Sequence, residues 1–242
     1  MNKFYTLAGV AMVAFASQAS AQSEKDMAAY VALMATPHGS MPAVASPLMA
    51  GEARTGAALD VRYGRYSFEG SDVTTSTIGL GGNFAAGERG RVGIMLGRSA
   101  ADCDDCDATM MAGVDYSRSL FSRPVGASTT SSLNIGVHPA VGYGKISDDV
   151  ADVNAMTFSV DVPVAYAFGL KSGMQIVTHV APGLGYGRLS QEDESLSGTR
   201  TSVGGGIGLL NIGNGLGVNL GFRKVFLEEA PTQWGLGMSW NR

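Results

Sequence analysis

Met156-Thr157-Phe158-Ser159-Val160-Asp161-Val162-Pro163-Val164-Ala165-Tyr166-Ala167-Phe168-Gly169 alternates without interruption. Met156, Phe158, Val160, Val162, Val164, Tyr166 and Phe168 hold one parity, and the intervening residues hold the other. A period of two belongs to a strand, whose successive side chains point to opposite faces. The chemistry of the second face decides the architecture. A solvent-facing strand surface normally carries Thr, Lys, Glu and Arg, whereas the second parity here is Thr, Ser, Asp, Pro, Ala and Gly. Small, weakly polar residues suit the crowded inside of a narrow closed barrel, and the apolar parity then faces lipid.

The same split recurs on both sides of this stretch. Leu133, Ile135, Val137, Pro139, Val141 and Tyr143 alternate with Ser132, Asn134, Gly136, His138, Ala140, Gly142 and Gly144. Leu216, Val218, Leu220 and Phe222 alternate with Gly217, Asn219, Gly221 and Arg223, and Trp234 to Trp240 repeats the pattern. The spacing predicts ten strands, near 57–68, 73–84, 91–99, 109–119, 131–146, 154–170, 174–190, 199–211, 215–227 and 232–241. Most reach the roughly 9 to 11 residues a tilted strand needs to cross a bilayer, while strands of soluble sheets average about 5 or 6. The expected fold is all-β: a closed, antiparallel, up-and-down transmembrane β-barrel of ten strands, with eight as the alternative count, over residues 55–242.

Composition agrees. The 242 residues include 34 glycines, and 45% are hydrophobic against 16% charged, too apolar a chain for disorder. A net charge of -4 with 17 scattered Lys and Arg supplies no basic stripe for nucleic acid. Lys3, the apolar run from Leu7 to Phe15 and Ala19-Ser20-Ala21 have the order of a secretory signal peptide, residues 1–21, with cleavage expected before Gln22. Its apolar core falls well short of the about 20 residues of a spanning helix.

The connections give an independent check. Numbered in chain order, the odd ones hold Glu69, Asp72, Asp102, Asp104, Asp105, Asp107, Asp148, Asp149, Asp152, Glu192, Asp193, Glu194, Glu228 and Glu229, which are 14 of the 21 acidic residues. The even ones are mostly tight and carry Arg89, Arg123 and Lys171. With the amino terminus on the periplasmic side, the acidic loops face outward, where Mg2+ or Ca2+ would bridge them to lipopolysaccharide phosphates. Aromatics such as Tyr66, Phe84, Tyr143, Phe168, Trp234 and Trp240 gather toward strand ends, as interfacial girdles require.

The signal segment, the up-and-down strands and the terminal Gln233-Trp234-Gly235-Leu236-Gly237-Met238-Ser239-Trp240 resemble those of Gram-negative outer-membrane β-barrels, the small OmpA-, OmpX-, opacity- or porin-like group. Gln233, Gly235, Met238 and Trp240 match the last-strand pattern that the barrel-assembly machinery reads in that group, although Asn241 and Arg242 follow the aromatic here. The resemblance spans about residues 55–242. It implies an outer-membrane location, both termini in the periplasm, contact with outer-membrane lipid and lipopolysaccharide, a monomer, and no particular activity.

Residues 22–54 stand apart as a periplasmic N-terminal segment. Ser23 and Asp26 suit the start of a short helix with Met27, Tyr30, Val31 and Met34 on one face, and Pro37, Pro42 and Pro47 end regular structure. A leader outside the barrel is favoured over a plug within it, because so short a helix is marginal alone.

Chemistry-bearing residues are few. Cys103 and Cys106 in a loop of an exported chain point to a local disulfide, and no second Cys or His pair completes a structural zinc site. No metal and no cofactor are expected. The glycines at 79, 81 and 82, at 183, 185 and 187 and at 204 to 208 do not join a strand to a helix, so they are no dinucleotide loop. The inward parity gathers Asp60, Arg62, Asp115, Asn134, His138, Asp161, His179, Asn219 and Arg223. A buried polar network, in which the carboxylates pair with the arginines and histidines, outweighs a hydrolase built on Ser159, His138 and Asp161, because an unpaired charge in a narrow interior is costly. The functional expectation is a structural or surface-interacting barrel with no enzymatic activity. A small passive pore is the first alternative and a barrel hydrolase the second.

Overall fold

A computed structural model of the chain describes residues 24–41, 57–67, 74–102, 108–125, 131–147, 152–170, 173–227 and 230–241. Among the described residues, eleven strands follow two short helices, α1 (Glu24–Met34) and α2 (Pro37–Ser40). The strands are β1 (Ala57–Ser67), β2 (Thr74–Ala85), β3 (Gly90–Ala101), β4 (Thr109–Pro124), β5 (Ser131–Ser147), β6 (Asp152–Asp161), β7 (Val164–Gly169), β8 (Gln175–Gln191), β9 (Glu194–Leu210), β10 (Leu216–Val225) and β11 (Thr232–Asn241). Each is antiparallel to its neighbours, and β1 pairs with β11 through Asp60↔Ser239 and Tyr63↔Leu236 to close the ring. Among the described strands no edge is left to template aggregation.

β6 and β7 together make one crossing, so the barrel has ten. The strand expected over 154–170 is interrupted at Val162 and Pro163. Pro163 has no N–H to give to a ladder, yet the break is bridged: the Gly136 N–H donates to the Pro163 carbonyl and the Val162 N–H to the Pro182 carbonyl, each at 2.9 Å. β8 and β9 continue further than the alternation suggested, because Gln191 and Glu194 pair directly across a two-residue turn. Polar residues on both faces of that protruding ribbon hide its period. The opposite end has tight turns, and Asn211, Gly213, Asn214 and Gly215 supply the left-handed backbone between β9 and β10.

The surface is inverted relative to a soluble protein. Leu59, Ile78, Leu80, Leu96, Phe158, Leu184, Leu220 and Trp234 are exposed on the outside, Leu96 to 63%, whereas Asp60, Thr77, Asn134, Asp161 and Arg223 are buried within. Apolar outward and polar inward is the arrangement of a membrane-spanning barrel. Of the last-strand residues, Met238 and Trp240 face out and Gln233 is fully buried inside.

The lumen is filled by the chain's own N-terminal segment. Every residue from Met27 to Met41 is buried, with α1 packed against β6, β8 and β9 and α2 against β3, β4 and β5. A leader outside the barrel was expected for this segment, and for 24–41 the structure replaces that reading with a plug. The physical reason lies in the sequence: Met27 to Ala35 is nine consecutive apolar residues, so beyond its first turn α1 has no polar face to offer water. A helix that is apolar all round needs burial all round, and the barrel wall supplies it. Ser23 and residues 42–54 lie outside the described residues.

Direction follows from the contacts. The first turn of α1 meets the β8–β9 ribbon, where Asp26 forms an ion pair with Arg200. α1 shares an apolar cluster with Tyr66, Val153, Leu189, Val225 and Ala230 at the same end, and α2 lies deeper, at mid-barrel. β1 begins and β11 ends at the other mouth. Glu24 and Asn241 therefore lie at opposite ends of the barrel; the two termini, expected on one side, fall outside the described residues.

Candidate functional site

The glycines of the wall are matched to the plug. Gly187 on β8 and Gly198 on β9 are cross-strand partners that form a saddle under α1. A Cβ at Gly187 would lie 2.5 Å from the Ala29 carbonyl oxygen, and one at Gly198 would lie 2.6 Å from that of Lys25. Side chains of any size at these positions would lift the helix off the wall. Further down, a Cβ at Gly142 would meet Thr36 at 2.6 Å, and one at Gly144 would overlap the Ala35 carbonyl. Sequence reading takes these glycines as the lining of a crowded lumen; the structure shows what crowds it.

Polar groups hold the lower part of the plug. The Thr36 hydroxyl donates to the Leu33 carbonyl at 3.0 Å and accepts from the Thr157 hydroxyl at 3.1 Å. Ser40 donates to the Thr36 carbonyl at 2.8 Å and so closes the short turn of α2. Beside them, His38 Nε2 lies 2.9 Å from Asp161 Oδ2, and the same carboxylate oxygen accepts from the Arg223 guanidinium at 2.6 Å. Asp161 and Arg223 are only 2% and 3% exposed, so their interaction is little screened by water.

Arg223 reaches Asp161 across two strands. From β10 the path passes β9 at Gly204 and β8 at Gly183, the register partners of Arg223 and Asp161 respectively. Neither has a side chain to obstruct the pair, and a Cβ at Gly183 would overlap the Asp161 carboxylate. A second carboxylate is treated alike: a Cβ at Gly93 would stand 2.5 Å from Asp115 Oδ2 and 2.7 Å from Asn83 Oδ1.

Around this centre the inward charges pair. Asp115 Oδ1 lies 3.1 Å from His138 Nε2. Asp60 accepts from Arg62 at 3.4 Å and from the Asn83 amide. The His38 and His138 rings meet edge to face with centroids 4.7 Å apart, which joins the Asp161–Arg223 pair to the Asp115 side. A small cavity lined by Pro37, His38, Arg62, Met95, Asp115 and Ala140 lies between plug and wall.

No protein-family model and no curated protein matches the chain. Solved structures match most of it. Ail of Yersinia pestis is 14% identical, with 78% of this chain and 100% of that one covered and a TM-score of 0.33. The β-domain of the Bordetella autotransporter BrkA is 12% identical over 76% and 98%, with a TM-score of 0.44. The N-terminal β-barrel domain of Pseudomonas aeruginosa OprF is 15% identical over 79% and 100%, with a TM-score of 0.32. Similarity at this level transfers no activity, ligand or partner to this chain.

Of the nine inward residues singled out from sequence, Asp60, Arg62, Asp115, His138, Asp161 and Arg223 lie in the paired network. Asn134 donates to the Ser132 hydroxyl at 2.9 Å and sits toward the other mouth, on the segment of β5 that faces β7. His179 lies apart on β8 opposite Gly206, and among the described residues neither of its ring nitrogens is hydrogen-bonded and the Asn219 amide nitrogen likewise has no partner. These two do not join the network. Ser159 is buried on the same wall, but among the described residues neither His38 nor His138 has a hydroxyl partner, so the Ser159–His138–Asp161 relay is not assembled. Cys103 and Cys106 lie outside the described residues. Sequence reasoning missed His38, which had been assigned to a leader. Its signal was available: a histidine three residues after the end of a nine-residue apolar run is oddly placed for a solvated segment.

Proposed function

We propose that this chain is a Gram-negative outer-membrane barrel closed by its own N-terminal segment, with a structural or surface-interacting role in place of open transport or catalysis. One observation carries the reading: residues 27–41 are buried inside the ring and are tied to its wall by the His38–Asp161–Arg223 contact. Near-cancellation of Asp60, Asp115 and Asp161 by Arg62, Arg223 and the histidines suits a packed interior, whereas a conducting pore tends to leave a ring of one sign to steer ions. In this reading residues 1–21 are removed on export, the barrel-assembly machinery reads the last strand, and the acidic loops face lipopolysaccharide. The first turn of α1 then lies on the outer side, and the segment 24–41 reaches from there to mid-barrel within the lumen.

Single-channel recording tests it. The refolded full chain should show no steady current, and a chain lacking residues 22–41 should conduct. Steady and equal current from both would replace the plugged barrel by a passive pore. Protease added to intact cells should cut within 191–198 and spare 170–173; the reverse pattern would invert the topology.

A further inference from the structure

Three metal-binding groups from three elements converge where the plug meets the wall. His38 comes from α2, while His138 and Asp161 are register partners on β5 and β6, and one donor atom from each lies within 4.8 Å of the other two. Asp161 keeps a donor in reserve. Arg223 and His38 both address Oδ2, while Oδ1, on the side of Gly183, is buried with no hydrogen-bond partner among the described residues. An orphaned carboxylate oxygen in a closed interior is unfavourable, and a cation would satisfy it. His138 is set against Asp115 at 3.1 Å, the arrangement in which an outer carboxylate fixes the orientation of a ligating imidazole.

We infer that His38, His138 and Asp161 form a binding site for a divalent transition-metal ion of the Zn2+ class. Two imidazoles and one carboxylate suit Zn2+, Co2+ or Ni2+, with water completing the shell. Ca2+ and Mg2+, which take oxygen ligands, do not suit a set that is two-thirds nitrogen. Arg223 stays on Oδ2 and keeps Asp161 in place, and its positive charge limits affinity, while Asp115 behind His138 supplies compensating negative charge. The ion joins a ligand of the plug to two of the wall, so it would staple the N-terminal segment into the lumen. This inference rests on residues 24–41 being a plug.

The test uses the untagged, refolded full chain, stripped with EDTA and titrated with Co2+, followed by competition with Zn2+ and metal analysis after gel filtration. One Co2+ per chain is expected, with the absorption of a mixed nitrogen and oxygen site, displaced by Zn2+. His38→Gln and His138→Gln should each lose it. His179→Gln and a Cys103→Ser, Cys106→Ser chain should retain it, which excludes the remaining histidine and the loop thiols as the source. No retained metal in the folded wild-type chain overturns the site. So does retention by His38→Gln or His138→Gln. If a variant does not refold, the wild-type chain decides through its Co2+-bound ligands: spectra showing two imidazoles support the site, and thiolate or oxygen-only ligation overturns it. Conductance of the metal-free chain reports on the plug separately: a closed barrel that binds no metal refutes only the site.

Discussion

The two ends of the plug are held by different physics. α1 rests on shape: an apolar helix on the Gly187–Gly198 saddle, surrounded by Tyr66, Val153, Leu189 and Val225. α2 rests on charge: His38 meets a buried carboxylate that is also paired with Arg223. Shape contacts are many, weak and tolerant of small shifts. A buried ion pair is few in atoms and severe when broken, because the remaining charge has nowhere to go. The outer turn of the plug should therefore loosen gradually, and the mid-lumen end should either hold or fail.

Arg223→Ala sharpens this contrast most. It leaves Asp161 with His38 alone, and breaking a buried pair costs about 3 to 5 kcal/mol. Urea unfolding in lipid should show that loss, together with the first steady current through the barrel. Unchanged stability and a silent channel would mean that the charged end is not what holds the plug.

Val162→Arg separates the wall from the plug. Val162 is exposed on the outer face, and an arginine facing mid-bilayer lipid costs about 2 to 4 kcal/mol. The loss should appear in unfolding while the barrel stays closed. Ala165→Arg, buried on the inner face, should instead crowd the lumen, and equal tolerance of both would contradict the assignment of faces.

Gly187→Val attacks the shape-held end. Overpacking costs typically about 1 to 3 kcal/mol, and here the obstacle is the Ala29 carbonyl. Amide hydrogen exchange should accelerate across 27–35 and much less around His38. Exchange rising equally at both ends would show that the plug behaves as one rigid unit.

Asp26→Asn should have the smallest effect. The Asp26–Arg200 pair lies at the mouth, with Asp26 38% exposed, and partly solvated pairs contribute from nothing to about 1 kcal/mol. Any change in unfolding should shrink further in high salt. A loss as large as that of Arg223→Ala would erase the distinction between the two ends.

The wall was legible because each of its rules is local. Period two set the strands, turn residues set their ends, and the small second parity turned the sheet inside out, so that Phe158 faces outward and Ser159 inward as the alternation required. Pro163 was visible too, but whether a proline interrupts a strand depends on which neighbours can bridge it, and those are Gly136 and Pro182, distant in sequence.

The site was legible only as parts. Asp161 and Arg223 could be placed on the inner face, yet their pairing needs the circumference of the closed barrel and the glycines at 183 and 204 that clear the way. The plug was the harder case. Nine apolar residues state that α1 must be buried, but they do not say by what, because hydrophobic burial is non-directional and any apolar-accepting surface would serve. The sequence alone determined an inverted up-and-down barrel, with ten crossings expected and eight the alternative, since strand periodicity and face chemistry act residue by residue. Only tertiary structure decided that residues 24–41 fill it and that His38 meets His138 and Asp161, since those contacts exist only once the ring has closed around the segment.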